Sequence, residues 1–245
     1  MAGYEPRTYR HLAAAEDLVA FHVAEAQTDL HIQVSAGLTG LEKVAREAVR
    51  EARRAIETEI ILVPGFATSL APLAGREGAP QVVEAMYRAG SRAQVGPMAS
   101  VAGAIAEFVG RRLLEQASEV VVENGGDVFL CTGHGRTVAV YAGRSPLSGK
   151  VGLRLPAGET LGVCTSSATV GPSYSAGKAD AALVVADDTA FADAMASSLG
   201  NSLQGPQDVE QAVARVASTE GVRQALAILG STLGVAGEFE LVRLG

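Results

Sequence analysis

The feature that most limits what this chain can fold into is the way its hydrophobic periods are grouped. Alternation of period two runs through residues 18–35, where Val19, Phe21, Val23, Leu30, Ile32 and Val34 are interleaved with Ala20, His22, His31 and Gln33. Gln27-Thr28-Asp29 between the two runs suits a hairpin turn. The spacing then becomes helical at Leu41, Val44, Ala45, Ala48, Val49, Ala52 and Ile56, with Arg46, Glu47, Arg50, Glu51, Arg53 and Arg54 on the wet face. Thr39 followed by Glu42 fits a capping box at its start. Residues 60–73, broken by Pro64, Gly65 and Pro72, read as a bent connector packed on the core, and helices are predicted over 79–93 and 98–114. Strand-like runs return over 119–132, 138–141, 151–155, 161–164 and 181–185. Helices are expected over 188–203 and 208–217, and a last strand pair over 225–229 and 239–244 about a turn region at 230–237. Strands and helices in blocks, with no strict βαβ alternation, predict an α+β fold. No low-complexity linker interrupts residues 1–245, so one domain is expected.

Composition narrows the core and the partners. Aromatics are only 4% and Trp is absent, so Ala, Val, Leu and Ile must pack through close helix–sheet contacts. The formal net charge of −7 argues against a nucleic-acid-gripping role, which needs a basic surface. A local pocket for an anionic ligand stays open, because backbone N–H groups can supply the positive field. No stretch approaches the ~20 apolar residues of a membrane span without Gly or charge, and the polar start, Met1 to His11, has no apolar h-region. The expectation is a cytoplasmic protein without membrane partners. Cys131 and Cys164 make neither a disulfide framework nor a zinc cluster, and read first as small buried hydrophobes. His22 and His31 are expected to face solvent, His134 lies in a Gly-His-Gly turn, and no His accompanies a nucleophile motif.

Four segments concentrate unusual residues. Gly96-Pro97-Met98-Ala99 opens a helix, where free amides attract phosphate or carboxylate; a well-made helix start beside close packing explains it equally. Asn124-Gly125-Gly126-Asp127 reads first as a tight hairpin turn and second as a strand bulge where a ligand approaches the backbone, framed by Asn124 and Asp127. Cys164-Thr165-Ser166-Ser167, continuing to Ser173 and to Gly177-Lys178-Ala179-Asp180, leaves a strand end rich in hydroxyls. It is a polar surface loop or a ligand loop in which Lys178 pairs with an anion. Asp193 and Ser197 lie four residues apart, so both oxygens leave one helix face and suit Mg²⁺; a solvated helix explains the same pair, though the Ala residues beside Asp193 point to a closely approached face.

In order, these four segments resemble the ApbE-like superfamily, the FAD:protein FMN transferases, over roughly residues 96–201. Gly96-Pro97-Met98-Ala99 resembles that family's glycine-rich helix start, and Asn124-Gly125-Gly126-Asp127 its Gly-Gly-acidic step. Gly162-Val163-Cys164-Thr165-Ser166 is similar to its Ala-Thr-Ser-Gly strand end, and Ala192-Asp193-Ala194-Met195-Ala196-Ser197 to its metal-binding helix, with Ser in place of Thr. Tyr9-Arg10, Thr28-Asp29-Leu30, Glu123 to Asp127, Gly162 to Ser167 and Gly177 to Ala181 resemble more closely a separate, uncharacterised branch.

The resemblance implies a T-fold-like architecture, an antiparallel sheet with helices on one face, built from two related halves. It implies a phosphate-bearing ligand such as FAD or FMN held by Gly96, Pro97, Met98, Asn124, Gly125, Gly126, Thr165, Ser166, Ser167 and Ser173. Mg²⁺ would sit on Asp193 and Ser197, and Asp127, Lys178 or Asp180 would do proton work. The family's His-containing loop is replaced here by residues 171–178, which hold no His, and its lipoprotein anchor is not seen. Three readings follow: a transferase with altered chemistry, a flavin or nucleotide carrier without turnover, and a sulfur-assimilation accessory protein using Cys164. The last needs an exposed thiol of depressed pKa. The small faces at 99–106 and 192–196 are expected to pack on each other or across a homodimer.

Overall fold

A computed structural model of the chain describes residues 18–35, 39–169 and 176–245. Eight antiparallel strands form the main sheet: β1 (Leu18–Glu25), β2 (Thr28–Ser35), β3 (Val120–Asn124), β4 (Asp127–Cys131), β7 (Thr160–Ser166), β8 (Ala181–Ala186), β9 (Val222–Leu229) and β10 (Thr232–Gly237), adjacent in that order. A second sheet of three strands orders β11 (Glu240–Arg243), β6 (Val151–Leu155) and β5 (Arg136–Ala139). The helices are α1 (Leu41–Leu62), α2 (Gln81–Ala93), α3 (Val101–Leu114), α4 (Thr189–Ser202) and α5 (Val209–Ala217).

The main sheet divides into two halves of one plan, hairpin, helices, hairpin: β1–β2, α1 to α3, β3–β4, then β7–β8, α4 and α5, β9–β10. Strands β4 and β7 join the halves, with Asp127 opposite Cys164 and Phe129 opposite Gly162. This is the expected α+β arrangement, antiparallel sheet with helices on one face.

Pleating sends alternate residues to two cores. Leu30, Ile32, Val122, Phe129, Val184 and Ala227 face the helices, while Leu130, Leu161, Val163, Leu183, Leu226 and Ile228 meet the three-stranded sheet. Strand β8 is covered on both faces and is buried at every position, which is why its sequence, AALVVA, is continuously apolar. No helix among the described residues is long and apolar enough to cross a membrane.

Several expectations need correction. Helix α1 runs on to Leu62, and Gly40 in the left-handed region, not Thr39, is its N-cap, without a side-chain cap. Residues 239–244 do not pair with β9; β11 pairs with β6, and the region read as a turn supplies β10, because Gly230 (φ +61) folds β9 back within two residues. His31 is only partly exposed, whereas His22 faces solvent as expected and bonds Asp29 on the neighbouring strand. The connector after α1 packs as expected through buried Phe66. It is clamped by Glu59, which takes Arg76 and the Tyr87 hydroxyl (2.8 and 2.9 Å).

Candidate functional site

The site is built from the start of β4, the end of β7, the start of α3 and the middle of α4. The β3–β4 turn is the tight one: Asn124 pairs with Asp127 across Gly125-Gly126, and Gly125 takes φ +76 at the first central position, as a type II′ turn requires. The bulge reading gives way to this hairpin. Close backbone approach does occur, and the partner is β7: Thr165 N donates to Gly126 O at 3.1 Å, and a Cβ on Gly126 would lie 2.8 Å from Thr165 O. The register turns Asn124 and Asp127 toward the helices, with Val122 and Phe129. Asn124 Nδ2 donates to Ala102 O in the first turn of α3 (3.1 Å).

Helices α3 and α4 pack antiparallel with almost no side chain between them. A Cβ on Gly103 would lie 2.5 Å from Thr189 O and 2.8 Å from Asp193 Cβ. The Ala and Gly faces noted in the sequence therefore meet within one chain and supply no dimer surface. The first-turn amides of α3 have no intrahelical acceptor, and α4 provides one: Asp193 Oδ2 accepts from Gly103 N at 2.9 Å. One turn along α4, Ser197 Oγ reaches Ala99 O at 3.4 Å. One turn back, Glu107 Oε2 of α3 accepts from Thr189 N at 2.7 Å, at the start of α4.

Beneath this crossing, Asp127, Cys164 and Asp193 are all buried. Burial pushes the Asp127 carboxyl up to about 7, against hydrogen bonds from the Cys164 thiol and the Thr165 N–H and with the charge of Glu123 adding to the rise. Burial raises Asp193 well above the usual carboxylate range, with the charge of Asp127 adding and the Gly103 and Ala102 amides opposing. Among the described residues neither carboxylate has a cationic side chain in an ion pair. Two buried acids without a counter-charge must hold a proton or take a cation.

The oxygen set fits a hard cation. Asp193, Ser197 and the nearby Ala99 carbonyl are oxygen donors of the kind Mg²⁺ takes beside waters, and they would be the residues to hold it. No group of three or more His, Cys, Asp and Glu among the described residues makes a metal cage by itself.

Cys164 is buried, its Sγ lying between the Asp127 carboxyl and Thr189 O (3.4 Å), and burial with the charges of Asp127 and Asp193 pushes its pKa well up. That is the reverse of a reactive thiolate and overturns the sulfur-carrier expectation. Cys131 is only partly buried.

The remaining expected residues divide. Gly96 meets the Ser69 carbonyl and Leu70 Cα, so its missing side chain serves backbone packing; Ala99 N closes the Pro97–Ser100 turn onto Gly96 O (3.1 Å). Pro97 is buried and Met98 partly so, both in the turn that leads into α3. Thr165 and Ser166 are half-buried at the end of β7, and Ser167 Oγ accepts from Thr169 N (3.1 Å). Ser173 lies outside the described residues.

Asp180 is committed elsewhere, accepting from Gly230 N (2.7 Å) and Thr169 Oγ1 (3.1 Å). The Lys178 side chain is exposed, and its backbone N–H is tied to Leu203 O (2.8 Å). Neither joins Asp127 among these contacts. Glu107 escaped the sequence reading; its signal was a lone acid inside an Ala/Gly-rich helix.

Comparison with known proteins places this geometry in context. A family model described as "AbpE bacteria" matches residues 10–228. A UPF0280 protein from Methanosarcina acetivorans is 39% identical over 198 residues, covering 80% of this chain and 78% of that protein. One from Methanosphaerula palustris is 45% identical over 190 residues, covering 77% and 78%. Among solved structures, the flavinyl transferase ApbE of Pseudomonas stutzeri superposes with TM-score 0.58 at 12% identity, over 89% of this chain and 94% of that one. The flavin transferase ApbE of Vibrio cholerae gives 0.58 at 13%, over 92% and 96%. At such identities the likeness is one of fold.

Proposed function

Because this chain belongs to the AbpE bacteria family, with ApbE flavin transferases as structural neighbours, we propose that it binds a phosphate-bearing flavin or nucleotide, together with Mg²⁺, where the start of α3 meets the middle of α4. The observation that carries the reading is the buried Asp127–Asp193 pair, which lacks a cationic partner among the described residues and lies against the first turn of α3. Mg²⁺, held by Asp193 and Ser197, would supply the charge that lets ligand phosphates approach two carboxylates. The protein's own groups do the rest. The α3 amides and Asn124 fix the helix start, and Gly126 lets the end of β7 pack directly on the turn. Thr165 and Ser166 offer hydroxyls at the end of β7, and Asp127, with its raised pKa, is the group suited to exchange a proton near neutrality.

FMN transfer by this site is part of the proposal, with a carrier lacking turnover as its alternative outcome. A cytoplasmic homodimer belongs to the same reading; exposed Ile61, Leu62 and Leu70 are apolar surface it would cover.

The test is isothermal calorimetry of the purified chain with FAD, FMN and ADP, in Mg²⁺ and in EDTA. Saturable binding that needs Mg²⁺ supports the reading, and product analysis with FAD then separates transferase from carrier. Absence of binding to all three removes it.

A further inference from the structure

We propose that Glu107 is a positioning residue for this site: by holding the first amides of α4 it sets the register that carries Asp193 and Ser197 to the start of α3. The inference rests on the reading of that crossing as the ligand site, and its structural half can be checked without any ligand.

The two helices cap each other. Glu107 Oε2, from the middle of α3, accepts from Thr189 N at 2.7 Å and lies 3.4 Å from Ala190 N. Asp193, from α4, accepts from Gly103 N at 2.9 Å. With Ser197 Oγ on Ala99 O, the contacts pair residues 107 with 189, 103 with 193 and 99 with 197. Each step moves four residues up one helix and four down the other, close to one turn on both.

Such a ladder admits no small adjustment. Sliding α4 by one residue displaces it by about 1.5 Å and rotates its side chains by about 100°, which removes Asp193 from Gly103 and Ser197 from Ala99 together. The near backbone contact at Gly103 leaves no side chain to absorb a shift. Glu107 is itself held, since Oε1 takes Arg111 four residues on, at 2.6 to 2.7 Å.

The local cap of α4 is a separate group. Asp188 Oδ1 accepts from Phe191 N at 2.8 Å and has no part in the ladder to α3. Stabilising the helix end and setting its register are therefore divided between two carboxylates, which gives the control.

The experiment measures amide hydrogen exchange at Gly103 by NMR, and Mg²⁺-dependent ADP affinity, in wild type, Glu107→Ala, Glu107→Gln, Glu107→Asp and Asp188→Ala. Glu107→Ala is expected to speed exchange at Gly103 about tenfold and to weaken ADP binding about tenfold, the scale of one lost charged cap. Glu107→Gln keeps an acceptor and restores most of both. Asp188→Ala lowers thermal stability while leaving Gly103 exchange and ADP affinity near wild type.

Unchanged Gly103 exchange in Glu107→Ala, or equal loss in Asp188→Ala, overturns the assignment. Should Glu107→Ala not fold, Glu107→Asp decides in its place: its shortened reach must loosen Gly103, and wild-type exchange there would equally overturn it. Absence of ADP binding in wild type counts against the ligand site, while Gly103 exchange still tells whether Glu107 sets the register.

Discussion

The carboxylate of Asp193, on α4, caps α3 through the backbone N–H of Gly103 at 2.9 Å. An acid at a helix start is ordinarily stabilised as the anion, yet here burial and the charge of Asp127 oppose ionisation. The same group is thus a structural cap and an under-compensated charge, and the two roles separate under substitution. Asp193→Asn keeps an acceptor for the amide and removes the repulsion. It should be at least as stable as wild type at pH 8 in EDTA, while losing Mg²⁺-dependent ligand binding. Urea denaturation beside calorimetry checks both; an Asn variant that binds normally would show that the carboxylate charge has no part in the site.

Asp127 sets a pH dependence of opposite sign to the usual acid. Its folded pKa of about 7 lies above its value in the unfolded chain, so its contribution to stability is complete below the unfolded pKa and is lost as pH rises through about 7. Between pH 4 and pH 7.5 wild type should therefore lose stability relative to Asp127→Asn, by on the order of 3 kcal/mol. Denaturation midpoints of the two proteins across that range, in EDTA, give the difference; parallel curves would mean that Asp127 titrates normally.

Cys164 should behave as a core residue. In the native protein it should resist a thiol-modifying disulfide reagent until the chain is unfolded. Cys164→Ala should cost about 1 kcal/mol or somewhat more, with ligand binding retained. Rapid native labelling at Cys164, read by mass spectrometry, would return a sulfur-handling role to consideration.

Gly103→Ala tests the close crossing. Its added methyl meets Thr189 O and Asp193 Cβ at 2.5 and 2.8 Å, so α3 and α4 must part. We expect a loss of about 1–3 kcal/mol, the range for overpacking, and a fall in ligand affinity larger than that of Gly75→Ala, whose added methyl makes only ordinary contact with Tyr87 at 3.7 Å.

Arg76→Ala tests the connector clamp. It would leave the Glu59 carboxylate, 1% exposed, with Tyr87 as its remaining side-chain hydrogen-bond partner. A fall in stability is expected, because the buried carboxylate loses its charge partner, tempered by solvent screening at the partly exposed Arg76. Glu59→Gln in the same background should recover part of it, and a thermal scan of the three proteins decides.

What could be read in advance follows from the range of the interactions. Period and turn chemistry are local, so the β1–β2 hairpin, α1, the Gly125-Gly126 turn and the helix bearing Asp193 and Ser197 were all legible in residue order. Capping depends on backbone angles, and Gly40 displaced Thr39 for that reason. Strand β11 crosses to β6 because Leu241 completes the second core, a pairing that no local pattern encodes.

The site shows the same division. Asp127 and Asp193 were evident as residue types, but their shared burial beside Cys164 arises from the β4–β7 register and the α3–α4 crossing. Asp180 looked equally suitable until the fold committed it to Gly230.

The most direct measurement is the Mg²⁺ dependence of FAD affinity in wild type, Asp193→Ala and Ser197→Ala. The account predicts tight binding by wild type in Mg²⁺, loss of that binding in EDTA, and a folded Ser197→Ala protein that needs more Mg²⁺ to reach it. Asp193→Ala should show no Mg²⁺ effect at all. Equal FAD affinity in all three proteins, with or without Mg²⁺, would contradict a cation-bridged phosphate site at the start of α3.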